Sequence, residues 1–77
     1  MNLSDCIQGL TILQRYFKRG DGYHLGAEHD VMYVSPTDSP LSNEDVQKMY
    51  DLGWFQSGID HEEGGQYDPE ESWKAFV

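Results

Sequence analysis

The sequence predicts a small α+β fold, a two-layer sandwich in which two helices cover one face of an antiparallel sheet. The predicted element order is α-β-β-α-β-β. Three observations support it: an apolar helical period near the N-terminus, a second helix with strong capping signals, and four short runs of β-forming residues between turn signals. A chain of 77 residues buries only about 60–65% of its unfolded surface, so we expect one domain, residues 1–77, with a small core.

The first helix is predicted from Ser4 to Lys18 by apolar residues that recur at three- and four-residue steps. Asn2 or Ser4 can cap its start. Basic residues at its end complement the negative pole of the helix dipole. The predicted core-facing stripe consists of Leu3, Cys6, Ile7, Leu10, Leu13 and Phe17.

A hairpin is predicted next. Apolar and polar residues alternate over residues 23–28, and the β-forming run Val31-Met32-Tyr33-Val34 follows. We expect the chain to turn at Glu28-His29-Asp30. The segment 35–40 contains two prolines, which cannot donate to a sheet ladder, so the sheet should pause there.

The second helix is predicted to start at Ser42 and to end at Leu52. Ser42 is a good N-cap, and Leu41 and Val46 have the spacing of a hydrophobic staple. Gly53 is placed to adopt the left-handed conformation that closes a helix. Trp54-Phe55 then reads as a strand start, and residues 72–77 as a closing strand with its tryptophan and alanine on one side.

The charge pattern gives the main indication of function. The formal net charge is −9, and 13 of the 14 carboxylates lie from Asp21 onward, where only Lys48 and Lys74 oppose them. Clustered carboxylates repel one another, but they can steer a protein toward a basic groove, and DNA-binding grooves are the commonest of these. We therefore expect a protein partner with a basic nucleic-acid-binding surface and no direct contact with nucleic acid. The predicted charge face comprises Asp60, Glu62, Glu63, Asp68, Glu70 and Glu71, with Glu44, Asp45 and Asp51 on the outer side of the second helix as the alternative face.

Aromatic residues form 13% of the chain, and a core this small cannot bury them all. We expect Tyr67 to be an exposed anchor among the acids, since tyrosine is enriched in interface hot spots. A small sheet must also protect its edges. The chain is therefore expected to be a monomer or a homodimer, the latter formed through an edge strand such as the C-terminal one.

Two other functions compete with this interpretation. His24, Glu28, His29 and Asp30 are potential zinc ligands, although their spacing matches no established metal motif. No nucleophile or phosphate-binding loop accompanies these residues, so we expect no catalytic residue, no cofactor and no enzyme activity. A protein-interaction module that binds through its aromatic residues, insensitively to salt, is the other alternative.

Three segments carry a resemblance to a known group. Residues 26–34, 51–55 and 72–77 resemble those of short proteins of phages and mobile elements. In size, acidity and α+β build the chain is also similar to anti-CRISPR proteins, several of which mimic DNA. This resemblance implies an inhibitor of a CRISPR effector in the host cytoplasm. The lack of a leader-like N-terminus and of a long apolar segment, and the single cysteine, favour the same location.

Overall fold

The computed structural model describes residues 1–18, 22–56 and 67–77. Its elements are α1 (Leu3–Gln14), β1 (Leu25–Glu28), β2 (Val31–Val34), α2 (Asn43–Asp51), β3 (Phe55–Gln56) and β4 (Trp73–Phe76). The strands form one antiparallel sheet in the order β1-β2-β4-β3. The predicted α+β class and the predicted order of elements are confirmed.

Both helices contribute to one core on one side of the sheet. Trp73 and Ala75 of β4 point to this side, together with Val34 of β2. The buried apolar side chains are Ile12, Leu13, Val34, Leu41, Met49, Trp54, Trp73 and Ala75. The predicted placement of the tryptophan and alanine of the closing strand on one side is therefore confirmed.

The predicted core-facing stripe of the first helix is right in part, and its predicted end is wrong. Leu13 is buried, and Leu10 and Phe17 are partly buried against the core, whereas Leu3 and Ile7, assigned to the same stripe, are 74% and 52% exposed. The buried positions of α1 are Gly9, Ile12 and Leu13, so its buried face is rotated about the helix axis relative to the predicted stripe. The helix ends at Gln14, because the amides of the next three residues donate to the carbonyl three positions earlier instead of four. The backbone then contacts the loop at Asp38, whose carboxylate accepts a hydrogen bond from the Lys18 amide at 2.7 Å.

The rotation of α1 follows from the packing of Trp54 on Gly9. Trp54 is 1% exposed, and a side chain at position 9 would overlap its indole ring. The absence of that side chain lets the ring lie directly on the helix backbone, where Nε1 donates to the carbonyl oxygen of Asp5 at 3.5 Å. One of the two fully buried tryptophans thus packs on the face of α1 that contains Gly9.

The second helix ends as predicted. Leu52 is the C-cap, and Gly53 has a positive φ of 97°. The Trp54 amide donates to the Met49 carbonyl at 2.9 Å and the Gly53 amide to the Tyr50 carbonyl at 3.0 Å, which is the hydrogen-bond pair of a Schellman motif. At the other end, the Ser42 hydroxyl accepts from the Asp45 amide, so the predicted N-cap is confirmed as well.

The hairpin turns where it was predicted to turn. Strands β1 and β2 are joined by His29 and Asp30, and His29 adopts the left-handed conformation that a two-residue hairpin turn requires. The closing strand, in contrast, is not at an edge. β4 pairs with β2 on one side and β3 on the other, so the expectation that the closing strand is an edge strand is wrong.

The side of the sheet that faces away from the helices carries a second set of side chains. We call it the open face. Cross-strand pairing places its members in two rows: Glu28, Val31 and Phe76, then Gly26, Tyr33, Lys74 and Phe55.

Across residues 1–18, 22–56 and 67–77, neither helix has the length and apolar character needed to cross a membrane.

Candidate acidic interface

The acidic segment that ends the charged run is held in a fixed shape by Gln56. We call residues 68–71 the acidic turn. The Gln56 side chain is 1% exposed; its Oε1 accepts from the Asp68 amide at 2.9 Å, and its Nε2 donates to the carbonyls of Asp68 and Glu71 at 2.7 and 3.3 Å. One buried amide therefore satisfies both ends of the turn, and the carboxylates on it are preorganised.

Within the acidic turn the three carboxylates differ in exposure. Glu70 is exposed, whereas Asp68 and Glu71 are half-buried. Asp68 Oδ1 accepts from the Glu70 amide at 2.9 Å, and the Glu71 amide donates to the Asp68 carbonyl at 3.1 Å. Asp68 therefore shapes the turn, and Glu70 presents its charge to solvent.

Tyr67 is not the exposed anchor that the sequence suggested. Its ring stacks on Trp73 with centroids 5.9 Å apart, and its hydroxyl accepts a hydrogen bond from the Leu41 amide at 3.0 Å. The side chain is half-buried. Its role in the structure is to tie the acidic turn to the residue that precedes the N-cap of α2.

This tie brings two of the predicted acidic groups to the same part of the molecule. Glu44 lies in the first turn of α2, is exposed, and pairs with Lys48 at 3.6 Å. Asp51 is also exposed and accepts from Gln47 at 3.0 Å, but it lies seven residues further along α2, about 10 Å from Glu44. Glu44 therefore lies at the end of α2 that follows the Tyr67–Leu41 contact, and Asp51 lies at the opposite end of the helix.

Asp45 was predicted on the outer side of α2, and that position is wrong. It is 8% exposed. Its Oδ2 accepts a short hydrogen bond from the Tyr16 hydroxyl and lies 3.5 Å from Arg15 Nη2. Because Tyr16 and Arg15 follow α1, Asp45 joins the two helices, and its charge is neutralised within the chain.

Replacing Asp45 by asparagine is expected to lower the free energy of unfolding by about 1 kcal/mol, because an amide oxygen still accepts from Tyr16 but without the added strength of a charged acceptor. Urea unfolding followed by circular dichroism measures this. The matched control is Glu44→Gln on the adjacent residue, whose exposed pair with Lys48 is worth only about 0.3–0.5 kcal/mol. Equal losses in both variants would contradict the structural role of Asp45.

Three members of the predicted charge face, Asp60, Glu62 and Glu63, lie outside the described residues. Their part in the interface stays a prediction from the sequence. The described part of the predicted charge face is Asp68, Glu70 and Glu71 of the acidic turn, whereas Glu44 and Asp51 belong to the alternative face.

The four potential zinc ligands do not converge. The His24 ring stacks on Phe17 with centroids 4.0 Å apart, and its Nδ1 lies 3.3 Å from the Ser35 hydroxyl. His29 Nε2 approaches Glu28 only to 4.0 Å. Within the described ranges, which include all four residues, no three His, Cys, Asp or Glu side chains are grouped so that they could hold a metal ion.

The Tyr50 phenol is an unusual polar group beside the interface. Its ring packs at 5.5 Å from Trp73, and its oxygen is buried without a hydrogen-bond partner in the described part of the chain. Burial raises the pKa of Tyr50, and repulsion from Tyr67 raises it further. The hydroxyl therefore stays protonated and carries no charge to the acidic surface.

Sequence reasoning missed Gln56 and Tyr16, which shape this site most. A glutamine beside the strand start Trp54-Phe55 carries no periodic or motif signal that would separate it from an exposed residue. Tyr16 likewise has no sequence pattern that predicts its role. The position of Asp45, in contrast, could have predicted its contacts. It stands three residues after the N-cap Ser42, where an acidic side chain turns back toward the helix start and any group packed there.

No family model, curated protein or solved structure matches this chain.

Proposed function

We propose that this protein is an acidic inhibitor that binds a basic nucleic-acid-binding surface of a host defence effector, such as a CRISPR complex, and blocks its access to DNA by charge mimicry. The observation that carries the proposal is the acidic turn, in which a buried glutamine fixes the backbone of three closely spaced carboxylates. The inhibitor would act in the cytoplasm of the host cell and needs no turnover of substrate.

The fixed backbone of the acidic turn supports a role in binding a partner over that of an acidic loop that is only solvated. A loose acidic loop pays a conformational entropy cost when it is ordered on a partner, whereas a turn that is already ordered does not. The turn is anchored at Gln56, and Tyr67 ties it to Leu41. Its charges can therefore face an array of lysines and arginines with little further loss of freedom.

The distribution of positive charge also supports the proposal. Of the bases in the described ranges, Arg15 is engaged with Asp45, and Lys48 with Glu44. Lys74 lies on the open face of the sheet. No ion pair in the described residues neutralises a carboxylate of the acidic turn. With a net charge of −9, the chain attracts basic surfaces over a range that salt shortens.

The test is a pull-down from a CRISPR-bearing bacterial lysate with tagged protein, washed at rising salt and read by mass spectrometry. The expected result is an effector subunit that is released at high salt and that duplex DNA displaces. A partner without nucleic-acid function, held through high salt, would contradict charge mimicry and would favour the salt-insensitive interaction module.

Two triple variants with the same net charge test whether the acidic turn is the contact. Substituting Asp68→Asn, Glu70→Gln and Glu71→Gln is expected to weaken binding about tenfold, since three ion pairs with the partner at about 0.5 kcal/mol each sum to that factor. The control removes three carboxylates elsewhere, Asp5→Asn, Asp30→Asn and Asp38→Asn, and has the same net charge. Binding that weakens equally in both would assign the effect to net charge alone and would overturn the acidic turn as the contact.

A further inference from the structure

Within residues 1–18, 22–56 and 67–77, strand β1 pairs only with β2 and so forms one edge of the sheet. An edge strand presents unpaired N–H and C=O groups, which natural sheets protect with lysine, proline, bulges or a short strand. The sequence of β1, Leu-Gly-Ala-Glu, contains no lysine and no proline, and its register with β2 has no bulge. Only its short length and the charge of Glu28 at its end oppose pairing with another strand.

The hydrogen-bond phase of the hairpin decides which backbone groups of β1 point outward. The Ser35 amide donates to the His24 carbonyl at 2.8 Å, so Gly26, two residues further along, also bonds to β2. The N–H and C=O groups of Leu25 and Ala27 therefore point away from β2. In the described part of the chain, neither residue has a hydrogen bond outside the hairpin. Both are exposed, Leu25 by 62%.

An antiparallel second copy of β1 can pair with this edge in a register that uses all of these outward groups. With Gly26 opposite its own counterpart on the two-fold axis, Leu25 of each copy lies opposite Ala27 of the other. Each of these two pairs exchanges two backbone hydrogen bonds, and the large Leu25 side chain lies beside a small one. Any other register of the same phase pairs only one of the two residues within β1.

The distribution of charge also favours this edge as the contact between two copies. In this register Glu28 lies opposite His24 of the second copy, and the two Glu28 residues are four positions apart along the strands. That separation is about 14 Å, which exceeds the screening length of about 8 Å at physiological salt. The acidic turn is held by Gln56 of β3, at the other edge of the sheet, three strand spacings or about 14 Å from β1.

We propose that two copies of this chain join through β1 and form a dimer with one continuous antiparallel sheet. An edge of four residues buries much less than the roughly 800 Å² per partner of a standard interface, and the net charge of −9 repels a second copy. The dimer should therefore be weak, with a dissociation constant of about 100 µM. Because salt screens the repulsion, the dimer should tighten as salt rises, whereas binding to a basic partner should weaken.

Amide hydrogen exchange of the intact chain, read by NMR, tests the contact at concentrations below and above that dissociation constant. Sedimentation velocity on the same samples measures the dimer. The amides of Leu25 and Ala27 should exchange freely in the monomer and become protected as the dimer forms, whereas the Gly26 amide should be protected throughout. A wild type that stays monomeric would overturn the proposal, and so would a dimer in which the Leu25 and Ala27 amides stay unprotected.

A substitution at one outward amide tests the same edge. Ala27→Pro removes an N–H that points away from β2, so the hairpin keeps its own bonds, and proline is tolerated in edge strands. This variant should stay monomeric where the wild type is dimeric. Ala27→Thr, which keeps the N–H and favours a strand, is the matched control and should dimerise. Equal dimerisation of the proline variant would overturn the proposal. If circular dichroism shows that the proline variant is unfolded, the exchange of the wild type decides.

Discussion

Replacing Gln56 by methionine is expected to lower the free energy of unfolding by about 3 kcal/mol, because three hydrogen bonds are lost from a buried site. Methionine fills nearly the same volume but cannot accept from the Asp68 amide or donate to the carbonyls of Asp68 and Glu71. Three backbone groups are then left without their partner. Urea unfolding followed by far-ultraviolet circular dichroism measures the change.

The matched control is Gln14→Met, the same substitution at an exposed glutamine of α1, which should change stability by less than about 0.5 kcal/mol. If the Gln56 variant were equally stable, the turn would not depend on this side chain. The substitution should also affect binding. Even after correction for the fraction of molecules that is folded, the Gln56 variant should bind a basic partner more weakly than the wild type does.

Replacing Gly9 by alanine is expected to destabilise the protein by about 1–3 kcal/mol, the usual cost of overpacking a core. In an exposed helix interior, replacing glycine by alanine stabilises the helix by about 1 kcal/mol. A loss of stability at position 9 would therefore have the opposite sign to the usual effect. At this position the added methyl group would overlap the indole of Trp54, which is 1% exposed and has no room to move. Thermal and urea unfolding both report the change.

A double-mutant cycle identifies the cause. In a Trp54→Phe background the smaller ring leaves space at position 9, so Gly9→Ala should cost less there than in the wild type. An undiminished cost would assign the effect to something other than the contact between Gly9 and Trp54. Gln8→Ala, at an exposed neighbouring helix position, is expected to be nearly neutral.

The parts of the fold that the sequence predicted well are those with local causes. The Ser42 cap and the Gly53 closure depend on hydrogen bonds within a few residues, so their residue types reveal them directly. The hairpin at His29 and Asp30 is similarly local. The alternation that places Trp73 and Ala75 together follows from strand geometry alone.

The errors arose where a distant residue decides the outcome. The period of α1 allowed two adjacent apolar faces, and Trp54, 45 residues after Gly9, decides between them. The sequence near Asp45 predicts an exposed acid, because nothing local indicates that the Tyr16 hydroxyl donates to its carboxylate. Tyr67 reads as an exposed ring until Trp73 and Leu41 are placed beside it. Apart from Trp73, which follows Tyr67 closely, these partners are distant in sequence, so no local pattern encodes the pairing.

The candidate site shows the same division. Composition alone predicted an acidic surface, and the partner that would fit it stays a proposal. The distinction between carboxylates that are free to act and those used in the fold required the structure. Asp45 serves the packing of the two helices and Asp68 the shape of a turn, whereas Glu44 and Glu70 remain exposed.

The position of β4 has a consequence for how the chain folds. This strand lies between β2 and β3 although it follows both in the sequence. Until it docks, β2 has an uncovered edge, and its sequence Val-Met-Tyr-Val has the β-forming, uncharged character of segments that aggregate. Docking of β4 requires closure of a loop of nearly 40 residues, a slow kind of step. Docking of β4 thus covers an edge of this aggregation-prone strand, and anything that delays the docking prolongs the period in which molecules can associate through it.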